Sequence, residues 1–146
     1  MKLGKTKDAQ QVLERSLHIK RDLGQQQGIS ITLANLGELA CETGQFKQAE
    51  GYLREAMRIA RQVKATPLMI ELLACFAALF IKQGKNESAV EFLSLAETQS
   101  AIKQETKKRV SDLLSTLRSD LPDSVFVAAQ ERGKALQLES VESLVP

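Results

Sequence analysis

The side chains suited to acid–base, nucleophilic or metal chemistry are few in this chain and far apart. His18 is the only histidine among 146 residues, so no metal cluster or proton relay based on paired imidazoles can be built within one chain. It lies between Leu17 and Ile19 on a helical pattern and reads as structural or solvated. Cys41 and Cys75 show no metal-ligand spacing, and neither has a strong base beside it in sequence. They read as small buried residues, and two isolated thiols fit a reducing compartment. Glu38 and Glu42 share one helical face, as a general acid–base pair would. Carboxylates at this spacing more commonly form a solvated or partner-facing stripe. Lys103, Lys107, Lys108 and Arg109 could touch phosphate, but Glu105 and Asp112 break the run and favour a basic solvated face. No G-x-x-x-x-G-K-[ST] loop is present. These residues imply no enzyme and no cofactor.

The elements that carry them are helices. Leu, Ala, Glu, Lys, Gln and Arg dominate, and only three prolines occur, which is an all-α composition. The net charge is +2, with basic and acidic residues interspersed, which argues against nucleic acid as the principal ligand. No apolar run reaches the roughly 18 residues of a membrane span, and no signal peptide precedes the first helical pattern. The expected location is cytoplasmic, with no membrane partner.

A period of about 40 residues, in the range of helical repeats, organises the chain. Gly4, Gly44 and Gly84 share it, as do Ala9, Ala49 and Ala89, and Leu13, Leu53 and Leu93. The segment before each of the last two turns repeats as well: Leu33 and Leu73, Ala34 and Ala74, Leu36 and Phe76, Gly37 and Ala77, Leu39 and Leu79. Fixed spacing of small and apolar residues marks stacked units that bury their apolar faces against neighbours. Gly37, Ala49 and Ala56 are small where two backbones should approach closely.

Leu33, Leu36, Gly37, Ala40, Gly44, Phe46, Ala49, Leu53, Ala56 and Ile59 resemble the tetratricopeptide (TPR) consensus in order and spacing. The next unit matches through Leu73, Phe76, Ala77, Phe80, Gly84, Ala89, Leu93 and Ala96, with Asn86 in the aromatic slot. The unit is longer than the usual TPR length of about 34 residues and resembles longer-helix variants. HEAT and armadillo repeats have about this period but lack the Leu-Gly, turn-Gly and Ala order. The resemblance implies an all-α, TPR-like α-α superhelix, a helical-hairpin solenoid, with a helical C-terminal cap. Residues 1–102 are expected to form the repeats and residues 103–146 an atypical cap.

Along the chain, the stretch from Met1 to Gly24 matches only the second helix of a unit, with Gly4 in the turn position. The stripe of Leu13 and Leu17 is therefore expected to be partly uncovered, with the chain a fragment of a longer one and the exposed face covered by another molecule, a self-association surface. Gly24 to Gly28 reads as a stop and turn. Helices are expected near Ile29–Glu42, Phe46–Lys64, Leu68–Gln83, Glu87–Ile102, Glu105–Ser119, Val125–Arg132 and Leu138–Leu144, with Gly133 as a helix stop. The segment LMIELLACFAALFI is apolar nearly all round, so it should be buried from more than one side.

The tail carries a second likeness. Phe126, Ala129, Gly133, Leu136, Leu138, Glu139 and Val141 follow F-x-x-A-x-x-x-G-x-x-L-x-L-E-x-x-V. This resembles the C-terminal end of TPR regions in large bacterial signalling proteins, where an AAA-like or NACHT-like ATPase precedes a helical-repeat sensor.

In TPR proteins the first helix of each unit lines the concave groove. The resemblance thus implies groove positions Ile31, Ala34, Asn35, Glu38 and Glu42 in one unit and Glu71, Ala74, Cys75, Ala78 and Lys82 in the next. Asn35 resembles the groove asparagines that hold extended peptides, since an amide offers a donor and an acceptor to a peptide backbone. An equal alternative has Asn35 bonding a neighbouring helix. The expected function is non-enzymatic protein–protein interaction through this groove, as the sensor or docking end of a larger regulator. The alternative is self-assembly as a homodimer through the N-terminal helix.

Overall fold

The computed structural model describes residues 2–144, with side chains from residue 6 to residue 141. Among these residues the chain is all-α, with TPR-like helical hairpins, and it divides into two compact units, Met1–Ala65 and Thr66–Pro146. No helix of the described residues is long and apolar enough to cross a membrane.

The first unit holds α1 (Lys2–Leu23), α2 (Gln26–Glu42) and α3 (Phe46–Gln62). The α2–α3 hairpin closes at Gly44, whose φ of +78° is costly for any residue with a β-carbon. There the Gln45 amide donates to the Ala40 carbonyl at 2.8 Å. Leu33, Leu36, Leu53 and Met57 form the dry centre, each at most 1% exposed. Gly37 is small because Leu53 stands over it: a β-carbon there would lie 2.6 Å from Leu53 Cδ2. The Ser30 hydroxyl donates to the Ala56 carbonyl at 2.7 Å and joins the two helices inside the core. Helix α1 packs on α2, where Lys20 Nζ donates to Thr32 Oγ1 at 3.0 Å. Arg21 reaches across to Glu55 on α3 at 3.1 Å.

Three expectations for this unit are corrected. Gly4 lies inside α1, not in a turn. The turn after α1 is narrower than GQQQG: Gly24 takes φ +68° and α2 already starts at Gln26. The third concerns the α1 stripe. Leu17 is buried and Leu13 half-buried, whereas Val12, Ile19 and Leu23 are 67%, 51% and 66% exposed. Packing on α2 turns Leu17 inward, so the uncovered apolar face is rotated away from the expected Leu13–Leu17 pair.

The second unit holds α4 (Thr66–Lys82), α5 (Asn86–Glu97), α6 (Gln104–Asp120), α7 (Asp123–Lys134) and a short 3-10 helix (Leu138–Leu144). Gly84, at φ +77°, repeats the turn of Gly44. Eleven residues of α4 are buried, Leu68 to Phe80 among them, because α5 and α6 both pack on it. Its all-round apolarity has this cause. Phe76, Phe80 and Phe92 form an aromatic cluster, the closest pair edge-to-face with centroids 5.0 Å apart.

Helix α5 stops at Glu97, short of the expected Ile102. Thr98 ends it, its hydroxyl donating to the Leu95 carbonyl at 2.7 Å. Helix α7 lies mainly on α5 and only marginally on α6. It runs through Gly133 to Lys134, so Gly133 is not a stop. Its smallness serves a close approach, because a β-carbon would meet the Glu91 backbone of α5, with Glu91 Cα at 2.8 Å. Phe126, Ala129, Gly133, Leu138 and Val141 of the tail pattern are all buried. That pattern therefore describes the face the tail lays on its own unit. Arg118 stacks 5.2 Å over the Phe126 ring, and Arg132 reaches Glu87 and Glu91 at 3.1 and 3.3 Å.

Candidate functional site: the outward faces of α2 and α4

A helix packed on two sides keeps one stripe for solvent, and in α2 that stripe is Ile31, Asn35, Glu38 and Glu42. These follow the i, i+4, i+7, i+11 spacing of a single helical face. Ile31, Asn35 and Glu42 are exposed and Glu38 is half-buried. Ile29, Ser30, Thr32, Leu33, Ala34, Leu36, Gly37, Ala40 and Cys41 are buried. The structure thus groups the first-unit positions as the sequence implied, except that Ala34 faces the core. Ile31 is a 42% exposed aliphatic side chain set beside an amide and carboxylates. The Asn35 side chain makes no hydrogen bond among the described residues, so the alternative of a bond to a neighbouring helix has no counterpart here. Chemically, the face offers a donor, an acceptor, negative charge and a small apolar foothold, which suits an extended neutral or basic chain.

The equivalent stripe of α4, one period on, is Glu71, Cys75, Ala78 and Lys82. It has a different fate. Glu71 and Lys82 are not buried, and Ala78 is half-buried, but Cys75 is only 4% exposed. Arg109 of α6 donates from Nη1 to Cys75 Sγ at 3.8 Å. The expectation of Cys75 on an open groove is therefore corrected: α6 lies against that part of α4, and a small soft side chain is what fits under a guanidinium. Cys41 is buried as well, and neither cysteine is in a disulfide.

The basic cluster near residue 105 does not form one patch. Lys107 and Lys108 are exposed, whereas Arg109 is half-buried. Lys103, Glu105, Thr106 and Arg109 line a cavity with Glu71. The sequence holds no signal for this meeting, because Glu71 and α6 come together only through the packing of α6 on α4. His18 is exposed and sits 3.5 Å from Asp22 one turn away. Among the described residues, no three His, Cys, Asp or Glu side chains group as a metal site would require.

No solved structure matches the chain. The family model described as tetratricopeptide repeat matches residues 1–62, which span α1 to α3. That match makes α1 to α3 similar to tetratricopeptide repeats, which generally mediate protein–protein interaction, and the helical hairpins of both units are consistent with a TPR-like fold.

Proposed function

We propose that this protein is a non-enzymatic docking module that holds an extended peptide segment of another protein on the outward face of α2. The observation that supports it most is the Asn35 amide, exposed and without a hydrogen bond among the described residues, between Ile31 and Glu38 on one helical stripe. A polar side chain that does nothing for the fold is free to grip a peptide backbone. Glu38 and Glu42 bias the face towards neutral or basic sequences. In this reading residues 1–102 supply the repeats, residues 103–146 cap them, and the module is the sensor or docking end of a larger cytoplasmic bacterial regulator.

The test begins with peptides selected from a displayed library against the intact chain. Asn35→Ala should weaken the selected peptides by about 1–2 kcal/mol, the worth of a lost amide–backbone pair. Unchanged affinity across all of them would remove Asn35, and the α2 face with it, from the function.

A second reading, self-assembly as a homodimer, is favoured by the Val12, Ile19 and Leu23 face of α1. Light scattering coupled to size exclusion decides it. A dimer that becomes monomeric on Val12→Lys and Ile19→Lys supports it, and a monomer at every concentration discards it.

A further inference from the structure

The second unit contains an open cavity of about 380 Å³ lined by Glu71 of α4, Lys103 at the entry to α6, and Glu105, Thr106 and Arg109 of α6. Clefts that hold small molecules run from roughly 300 to 1,000 Å³. Its charged lining is balanced: two cations and two carboxylates. The side chains of Glu71, Lys103 and Glu105 form no ion pair or hydrogen bond among the described residues, so the opposite charges around the cavity have not neutralised one another. Thr106 is 6% exposed and its hydroxyl has no partner among the described residues. The hydroxyl is not sealed from solvent, and Thr106 lines the cavity, so it is open to whatever fills that space. Arg109 is fixed in the wall through its contact with Cys75 Sγ at 3.8 Å.

Electrostatics narrows what such a lining accepts. A phosphate would meet two carboxylates, and a simple ammonium ion would meet Lys103 and Arg109. A small molecule of zero net charge whose two ends are oppositely charged meets an attractive partner at each end. We infer that this cavity binds a free α-amino acid as its zwitterion. Lys103 and Arg109 hold the carboxylate, Thr106 donates its hydroxyl to it, and Glu71 and Glu105 hold the ammonium group. Glu71 is shared with the implied groove, but the inference rests on no residue of α2.

The test is titration of the isotopically labelled full chain with single L-amino acids at millimolar concentration, followed by amide chemical shifts. Acetate and ethylamine, each carrying one half of the charge pair, are the controls. At least one amino acid should shift amides around Glu71 and from Lys103 to Arg109, more strongly than either control. Glu71→Gln, Lys103→Gln and Thr106→Val should each weaken it about tenfold, while Asn35→Ala leaves it unchanged. The two charge variants alter exposed side chains, and circular dichroism checks the fold of all three. The inference is overturned if no amino acid shifts these amides, if acetate or ethylamine binds as tightly, or if only one of the two charge variants weakens binding.

Discussion

Replacing Gly133 by Ala should destabilise the protein, although the same exchange inside a helix ordinarily stabilises it. In a helix interior Ala is favoured over Gly by about 1 kcal/mol. At Gly133 the added carbon would lie 2.8 Å from Glu91 Cα, with backbone rather than a movable side chain in its way. Helix α7 would have to withdraw by roughly 1 Å to restore ordinary carbon contact. A gap of that size forfeits about a quarter to a half of the attraction between facing atoms. It would fall on Phe126 and Ala129, 2% and 0% exposed, where a buried aromatic side chain is worth about 1.5–3 kcal/mol. The resulting loss of about 0.4–1.5 kcal/mol is only partly offset by propensity, because Gly133 is next to last in α7 and helix ends gain little. Gly51 is the internal control: it lies within α3, is exposed, and has nothing within 4 Å of the point where a β-carbon would stand. Gly51→Ala should therefore stabilise by about 0.5–1 kcal/mol. Urea unfolding followed by helical circular dichroism measures both. Equal or greater stability of Gly133→Ala would refute the close-approach argument, and so would a fall in Gly51→Ala.

Two buried hydroxyls should respond with opposite signs. Ser30→Ala removes the 2.7 Å bond to the Ala56 carbonyl and should cost about 1 kcal/mol, read as a lower urea midpoint with unchanged slope. Ser94 is fully buried and its hydroxyl has no partner among the described residues. Ser94→Ala should leave stability unchanged or raise it by up to about 1 kcal/mol; a clear loss of thermal stability would show that the hydroxyl is satisfied in solution.

The hairpins are legible in the sequence because their signals are local. Gly44 and Gly84 mark turns that need positive φ, and Gly37 with Leu53 marks a crossing where one side chain must vanish for another to fit. The stretch LMIELLACFAALFI announces a helix buried from several directions, which α5 and α6 explain. What stays hidden depends on how helices are turned or stacked. The repeat period carries Gly4 into a turn that does not exist, since periodicity repeats a residue type without repeating its surroundings. The α1 face is ambiguous because a helix with Val12, Leu13, Leu17, Ile19 and Leu23 has apolar residues on much of its circumference. Only the angle at which α2 meets it selects Leu17. Gly133 reads as a stop because a glycine near a helix end fits two roles, and the choice between them lies in the distance to Glu91.

The fate of Cys75 bears most directly on function, because it separates two faces that the sequence makes equivalent. Positions 35 and 75 stand one period apart, yet the first presents an amide to solvent and the second lies under Arg109. Docking on the α4 face would need position 75 open; docking on α2 does not. Thiol labelling separates the cases. In Cys41→Ala protein, Cys75 is the single cysteine, and a buried thiol reacts only when the structure opens locally. An opening cost of about 3 kcal/mol slows labelling roughly a hundredfold relative to the urea-unfolded chain. The expected result is strong protection, with little further change when Arg109 is replaced by Lys, because the packing of α6 on α4, and not the guanidinium alone, keeps Cys75 buried. Labelling at the unfolded rate in native buffer would put Cys75 back on an open face and make α4 a docking surface in its own right.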